Sequence, residues 1–376
     1  MKKKVIIYYS ICFLPDGNAM CRRAKSMSNY IIHENRIPVI IGVNKTESLE
    51  KFFINDVLCY TLPYPKTFGS WIKFIISIKP IIKIVKEIGE ENIESIIASD
   101  LKSIQLIKMK KFCRRNNFKI ILDILDWYGK SSERFPKNIL KNLDTYLTMN
   151  FLYYTINRCI TVSSNLYGKF NKNNINCIRI PMVYDNCIYN DKLKKMDKKL
   201  RFIFAGKPGR YCEKEKLDWI IEIFSGLKFD FELIIIGIEE KEFFLYNQSL
   251  KKLVDDRITF YGDISYELCT REIQNSDFYL LIREKTRLSD FGFSTKLMES
   301  FKFKVPLIAT DTGDVNLYVK DGYNGFICKA DKKSLNDKIV QLFTRDYTEL
   351  RNLKENIDVS KLLESNFYDE FRKVIT

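Results

Sequence analysis

The sequence predicts an α/β protein built as two doubly wound units. Three observations lead there: short apolar runs rich in β-branched residues alternate with longer helical patterns, the rhythm stops and restarts near residue 200, and 376 residues suit two hydrophobic cores of roughly 150 to 200 residues better than one. Strands that are apolar throughout, rather than at every second position, belong to a parallel sheet covered on both faces.

The first unit opens with "KVIIYYS", a helical pattern over about 19–33 and "VIIGV", followed by "SIIAS", a helix through Lys110 and "KIILDIL". Its start, "MKKKVIIYYSICFLPDGNAM", has the basic head and apolar run of a signal peptide. Tyr8, Tyr9 and Ser10 fall inside that run and no small-residue cleavage site follows, so a first strand entering a Pro-Gly loop accounts for it better. The segment "TFGSWIKFIISIKPIIKIVKEIG" (67–89) predicts one amphipathic helix kinked at Pro80, with Lys79, Lys83 and Lys86 within about 60° of one another. Such a face suits either an anionic membrane surface or a packing helix with solvated lysines.

The second unit reads "LRFIFAG", a helix over 213–226, "FELIIIG", a helix near 240–253, "ITFYG", a helix over 265–275 and "FYLLI". It continues into "GFSTKLMESFKFKVPLIATD", where Ser294 is a good N-cap for a helix that leads to a buried strand. The domains are accordingly placed at residues 1–185 and 200–358, joined by a polar linker at about 185–199; a last helical pattern, 359–376, is expected to cross back to the first domain.

Composition narrows the function. Lysine and arginine number 62 against 47 acidic residues, a net charge of +15, which favours partners bearing phosphate: nucleotides, nucleic acid or an anionic membrane. No helix-turn-helix, zinc module or aromatic RNA-binding strand pattern supports nucleic acid, so no nucleic-acid partner is expected. Ten cysteines without a C-x-x-C pair and a single histidine argue against a zinc site or a disulfide framework and for a reducing cytoplasm. No apolar stretch reaches the roughly 18 to 20 residues of a membrane span, which predicts a soluble or peripheral protein.

Two clusters carry chemistry. Gly206 and Gly209 sit where "RFIFAG" meets the loop "GKPGRYCEK", with Lys207, Arg210 and Lys214 close by. Glycines let a ligand approach the backbone and the cations suit a diphosphate, although a glycine turn followed by solvated charges reads the same way. Lys296 and Glu299, three apart, share a helix face at the same rim as Arg283, which ends "FYLLI". A carboxylate there can accept the hydroxyls of a ribose and a lysine can meet phosphate; an exposed salt bridge is the alternative.

The stretch "FGFSTKLMESFKFKVPLIATDTGDVNLYVKDGYNGFIC" resembles the nucleotide-sugar-binding half of the GT-B glycosyltransferases of family four, with its G-F-P-[ST]-K-x-x-E segment, "PVIAT" turn and "DGxNGF". "FAGKPGRYCEKEKL" is similar to the family's diphosphate loop, and "ILDILDWY" to the D-x-x-E-W-Y signature of some capsule and lipopolysaccharide members. The resemblance implies two Rossmann-like domains facing a cleft. It also implies a retaining transferase that moves a sugar from a nucleotide-diphosphate donor to an acceptor hydroxyl of a cell-envelope or lipid-linked glycan, with no metal and no cofactor beyond the nucleotide sugar.

Carried over by position, the resemblance makes Glu299 the ribose ligand and adds Gly206, Gly209, Ser294, Thr295 and Lys296 to the donor site. Lys207, Lys214 and Arg283 would neutralise the departing diphosphate, and Asp126 would hold the acidic signature position as a catalytic group. Asp100, Asp123, Trp127 and Tyr128, with Gly17 and Asn18 of the loop "LPDGNAM", would meet the acceptor. Two departures stand out. Phe291 occupies the place where many members carry a second glutamate, with Asp290 beside it, and the only histidine, His33, ends the first helix and is expected to face solvent. The first departure leaves open an inactive GT-B partner subunit, and the net charge leaves a basic nucleic-acid-binding protein as the less favoured alternative.

Overall fold

The computed structural model describes residues 3–15, 19–129, 135–172, 175–185, 199–209 and 212–376. Gly17, Asn18, Arg210 and the linker positions 186–198 lie outside the described residues. The chain forms two compact units, Met1–Asn186 with Leu363–Thr376, and Cys187–Leu362.

The first unit holds strands β1 (Val5–Phe13), β2 (Ile37–Asn44), β3 (Glu50–Ile54), β4 (Val57–Pro63), β5 (Ile93–Ser99), β6 (Lys119–Ile124), β7 (Arg158–Thr161) and β8 (Asn176–Arg179). They form one sheet in the order β3-β4-β2-β1-β5-β6-β7-β8, parallel except where β3 pairs antiparallel with β4. That hairpin turns at Asn55 and Asp56, both with positive φ (44° and 64°), the conformation a two-residue hairpin loop requires. Helices α1 (Ala19–His33), α2 (Phe68–Ile76), α3 (Lys79–Ile88), α4 (Ser103–Arg115), α5 (Lys137–Leu147) and α6 (Ser164–Phe170) connect the strands.

Segment 67–89 is two helices rather than one kinked helix. A reciprocal Thr67–Ser70 capping box starts α2, and Ser77 leaves it in extended conformation. Pro80 falls in the first turn of α3, where its missing N–H costs nothing. The α3 helix buries Ile81, Ile84 and Val85, so its lysines form an ordinary solvated face.

Asp123 corrects an expectation. It was expected to face an acceptor, yet it is 1% exposed and both carboxylate oxygens are taken inside the core. Arg23 of α1, itself buried, donates to Asp123 Oδ1 at 2.8 Å and Oδ2 at 3.1 Å, and Tyr8 OH donates to Oδ2 at 2.8 Å. Arg23 also donates to the carbonyls of Ile180 and Pro181, tying helix, sheet and the exit of β8 together. A buried ion pair is tolerable only when its remaining hydrogen bonds are filled, as they are here.

The second unit holds β9 (Leu200–Ala205), β10 (Phe231–Ile236), β11 (Ile258–Gly262), β12 (Phe278–Leu281), β13 (Leu307–Thr310) and β14 (Gly325–Cys328). Every pairing is parallel and the order is β11-β10-β9-β12-β13-β14. This is the doubly wound arrangement, in which the winding reverses between β9 and β12 and ligands bind beyond the carboxyl ends of those strands. Its helices are α7 (Leu217–Ser225), α8 (Glu240–Tyr246), α9 (Tyr266–Gln274), α10 (Arg287–Phe291), α11 (Thr295–Lys302), α12 (Val315–Tyr318), α13 (Lys332–Leu342) and α14 (Tyr347–Glu355). Phenylalanines of β9, α7, β10 and β12 form much of its core, with Phe202 and Phe224 edge to face at 4.9 Å.

The last helix, α15 (Tyr368–Ile375), belongs to the first unit and buries Phe371, Val374 and Ile375 in that core. Lys119, Arg158 and Asn176, at the starts of β6, β7 and β8, donate to the carbonyls of Ile375, Val374 and Lys373. Donors and cations at a helix C-terminus satisfy groups that have no partner within the helix.

Candidate functional site

The reversal point of the second sheet is built from two loops. At the end of β9, Gly206 adopts φ +140°, and a Cβ there would lie 3.4 Å from Lys296 Nζ. The following loop does not enter a helix at 213 as the sequence suggests. The amides of Lys214 and Glu215 donate to the Pro208 carbonyl, and that of Lys216 donates to Ile282 O, beyond β12. The chain is thus drawn across the ends of both strands before α7 begins at Leu217.

That crossing turns Glu215 inward, where it is 2% exposed. Its Oε1 accepts from Arg283 Nη2 at 2.8 Å and Nε at 3.2 Å, and its Oε2 accepts from Lys296 Nζ. Arg283 follows β12; its backbone is bracketed by Thr310 Oγ1, which accepts from its amide at 2.8 Å and donates to its carbonyl at 2.7 Å. Lys296 also lies 4.1 Å above the Phe204 ring, a cation–π contact. Burial, then the charge of Lys214, pushes the Lys296 ammonium well below the ordinary lysine range, while Glu299 pulls it the other way. The adjoining Glu215 carboxylate acts in the same sense as Glu299.

Glu299, on the α11 face shared with Lys296, is buried and accepts from Tyr279 OH at 3.0 Å. The Ala205 carbonyl stands 3.3 Å from the same hydroxyl. Tyr279→Phe removes this orienting donor and leaves the carboxylate in place. Loss of one hydrogen bond to a charged group, about 1.5–3 kcal/mol, predicts ten- to hundredfold weaker binding of a ligand held by Glu299, measured by titration calorimetry.

Other expected site residues are distributed around this core. Ser294 precedes α11 but its side chain makes no cap; its Oγ instead accepts from Arg283 Nη2 at 3.3 Å. Thr295 is half-buried at the first position of the helix. Lys207 and Lys214 are exposed, and Lys207 pairs with Asp263 at 3.0 Å. Gly209, at φ +84°, lies against Glu213 and Lys214. Beside it opens a cavity of about 260 Å³ lined by Lys207, Gly209, Gly237, Ile238, Glu242 and Tyr246 among others. Phe291 ends α10, and Asp290 accepts from the Gly313 amide at 3.3 Å.

In the first unit, Asp100 follows β5 with φ +60° and accepts from Lys102 Nζ at 3.0 Å. Lys102 in turn stands 5.9 Å from the Tyr128 ring, which is exposed. Asp126, half-buried, and Trp127 follow β6, and Lys169 caps the Trp127 ring at 3.9 Å. Asp100, Asp126, Trp127 and Tyr128 therefore gather at the carboxyl ends of adjacent strands, whereas Asp123 is withdrawn into the core. His33 is exposed and stacks on Tyr368 at 3.8 Å, with no part in this group.

Sequence reasoning missed Glu215 and Tyr279. Glu215 sits in the run "EKEK", which reads as solvated charge, and only the loop crossing reveals it. Tyr279 is the lone hydroxyl of the apolar strand "FYLLI", a weak signal that was present. Among the described residues, no group of three or more His, Cys, Asp and Glu side chains is placed to hold a metal ion.

Residues 189–358 match the family described as glycosyl transferases group 1. No curated protein sequence matches the chain. Among solved structures, sucrose-phosphate synthase from Thermosynechococcus elongatus superposes with a TM-score of 0.75 at 11% identity, covering 99% of this chain and 98% of that one. HepE from Anabaena, in complex with UDP and glucose, gives 0.68 at 12% identity over 98% of both chains. The lipopolysaccharide outer core galactosyltransferase WaaB, in its apo form, gives 0.63 at 15% identity over 99% of both. Residues 189–358 thus match the glycosyl transferases group 1 model, and the fold of the chain is that of the GT-B glycosyltransferases.

Proposed function

We propose that the protein transfers a sugar, with retention, from a nucleoside-diphosphate donor to an acceptor hydroxyl of a cell-envelope or lipid-linked glycan. The observation that carries this reading is the convergence of Arg283, Lys296 and Glu299 beyond β9 and β12, at the reversal point where such sheets bind ligands. The complex of HepE with UDP and glucose, and the lipopolysaccharide role of WaaB, support the donor and acceptor classes.

In this reading Glu299, oriented by Tyr279, accepts the ribose hydroxyls. Arg283 and Lys296, with Lys207 and Lys214 at the rim, meet the diphosphate. As the glycosidic bond to the donor breaks, negative charge grows on the leaving phosphate. Preset cations in a water-poor site stabilise that charge more than water does. A phosphate oxygen of the leaving group, on the same sugar face as the incoming hydroxyl, takes its proton. Asp126 is the candidate polar contact to sugar or acceptor, with Asp100, Trp127 and Tyr128 beside it on the first unit. Phe291 cannot supply the charge that a glutamate would at that place, so the sugar's hydroxyls have to find other partners.

A thermal-shift series with UDP, GDP, ADP and their sugars tests the reading. A ligand at about a hundred times its Kd stabilises the native state by about 2.7 kcal/mol, a rise of about 5–10 °C for a unit of this size. No shift with any member rejects the proposal. A shift without slow release of nucleoside diphosphate from a sugar nucleotide favours an inactive partner subunit, the reading that Phe291 suggests.

A further inference from the structure

We propose that Glu215 sets the affinity of the donor site: it is an internal anion that neutralises Arg283 and Lys296, and a diphosphate has to compete with it for those two cations. This role presupposes the donor-site reading, in which Arg283 and Lys296 meet the diphosphate. One Glu215 oxygen accepts from Arg283 Nη2 at 2.8 Å and Nε at 3.2 Å, and the other accepts from Lys296 Nζ. An arginine fork and an ammonium turned on one anionic group form the arrangement that phosphate oxygens would otherwise receive.

Burying two cations side by side without a counter-charge is strongly unfavourable, and Glu215 removes that cost when no ligand is present. Glycine at 206 makes room for the arrangement, since a Cβ there would lie 3.4 Å from Lys296 Nζ and 3.5 Å from its Cε. Backbone bonds deliver the carboxylate. The Glu215 amide donates to the Pro208 carbonyl at 3.1 Å, and the Glu215 carbonyl accepts from the Leu217 amide at 2.9 Å. The Lys216 amide donates to Ile282 O at 2.9 Å. Anchored on both sides, Glu215 stays beside any anion that enters, and like charges that close together repel.

The charges of the cluster balance. Glu215 faces both cations, and the Glu299 carboxylate acts on Lys296 from the same helix, so Arg283 and Lys296 meet two carboxylates below the rim. Lys207 and Lys214 supply the positive excess, and both are exposed, where solvent and salt screen them. The nucleoside diphosphate left after transfer carries about one more negative charge than its sugar ester. With the buried cations already neutralised, the site gains less from that extra charge. Glu215 therefore favours release of the product, a step that limits the turnover of many transferring enzymes.

The test is titration calorimetry of the full chain and its Glu215→Gln variant with inorganic pyrophosphate and with UDP, GDP and ADP in turn, at about pH 6, where the ammonium form of Lys296 is favoured. Glutamine keeps an acceptor for Arg283 and removes the charge. Pyrophosphate and the nucleoside diphosphate of the donor should each bind the variant at least about tenfold more tightly. In a steady-state transfer assay the same nucleoside diphosphate should become an inhibitor at least about tenfold stronger. A residue that only propped the site would weaken both ligands when altered. Should a urea melt show that the glutamine variant does not fold, Glu215→Asp is measured in its place. One methylene shorter, aspartate cannot span both cations, and pyrophosphate should bind at least about threefold more tightly. Wild-type binding with equal or weaker binding by the folded variant overturns this proposal alone. No binding of any diphosphate by either protein overturns the donor-site reading together with it.

Discussion

Glu299→Ala is expected to lower kcat/KM for sugar transfer by about 10²–10⁴-fold and to leave the fold intact. Two hydrogen bonds from ribose to an ionised carboxylate, at about 1.5–3 kcal/mol each, set that magnitude. The fold should tolerate the change for two reasons visible in the structure. Alanine is a good helix former in α11, and Tyr279 OH, deprived of Glu299, still has the Ala205 carbonyl 3.3 Å away. Glu299→Gln keeps an acceptor but not the charge, and should fall between alanine and wild type. Steady-state kinetics beside a thermal melt check the claim; near wild-type transfer by the alanine variant would remove Glu299 from the donor site.

Glu215→Ala is expected to be the most damaging single change in the second unit, lowering stability by about 3–5 kcal/mol. That is the usual cost of stripping one partner from a buried ion pair, and here the carboxylate serves two cations, Arg283 and Lys296, at once. Urea unfolding measures the stability. Glu215 touches no proposed substrate atom, so it is a positioning residue, and Glu215→Gln provides a readout that a merely structural role would not move. Glutamine can still accept from Arg283 but no longer favours the Lys296 ammonium. Burial and Lys214 already lower that group's pKa. Removing the opposing carboxylate lowers it further, so the rate, which needs the charged form, should begin to fall at lower pH in the variant. An alanine variant as stable as wild type, with a glutamine variant of unchanged pH profile, would refute the assignment.

The fold was largely legible because parallel strands announce themselves. "KVIIYYS", "SIIAS", "FELIIIG" and "FYLLI" all lie in strands, and the predicted helix over 19–33 is α1. What was illegible shares one physical cause: sequence reports a side chain's chemistry but not the direction in which a loop turns it. Glu215 reads as one more charge in "EKEK" until the backbone bonds to Pro208 and Ile282 turn it under the strand ends. Asp123 reads as a strand-end carboxylate until Arg23, a hundred residues earlier, claims both its oxygens. Pro80 shows a smaller failure of the same sort, since a proline that kinks a helix and one that starts the next are identical in sequence.

The segment that returns to the first sheet has a consequence for how the protein is made. The whole second unit is spliced, in covalent order, between β8 and α15 of the first. The first unit is therefore completed only after the second: until residues 368–375 emerge, the places of Phe371, Val374 and Ile375 in its core stay open and the starts of β6, β7 and β8 lack the carbonyls to which they donate. Nascent chains would carry a complete second unit beside a first unit still missing its last helix.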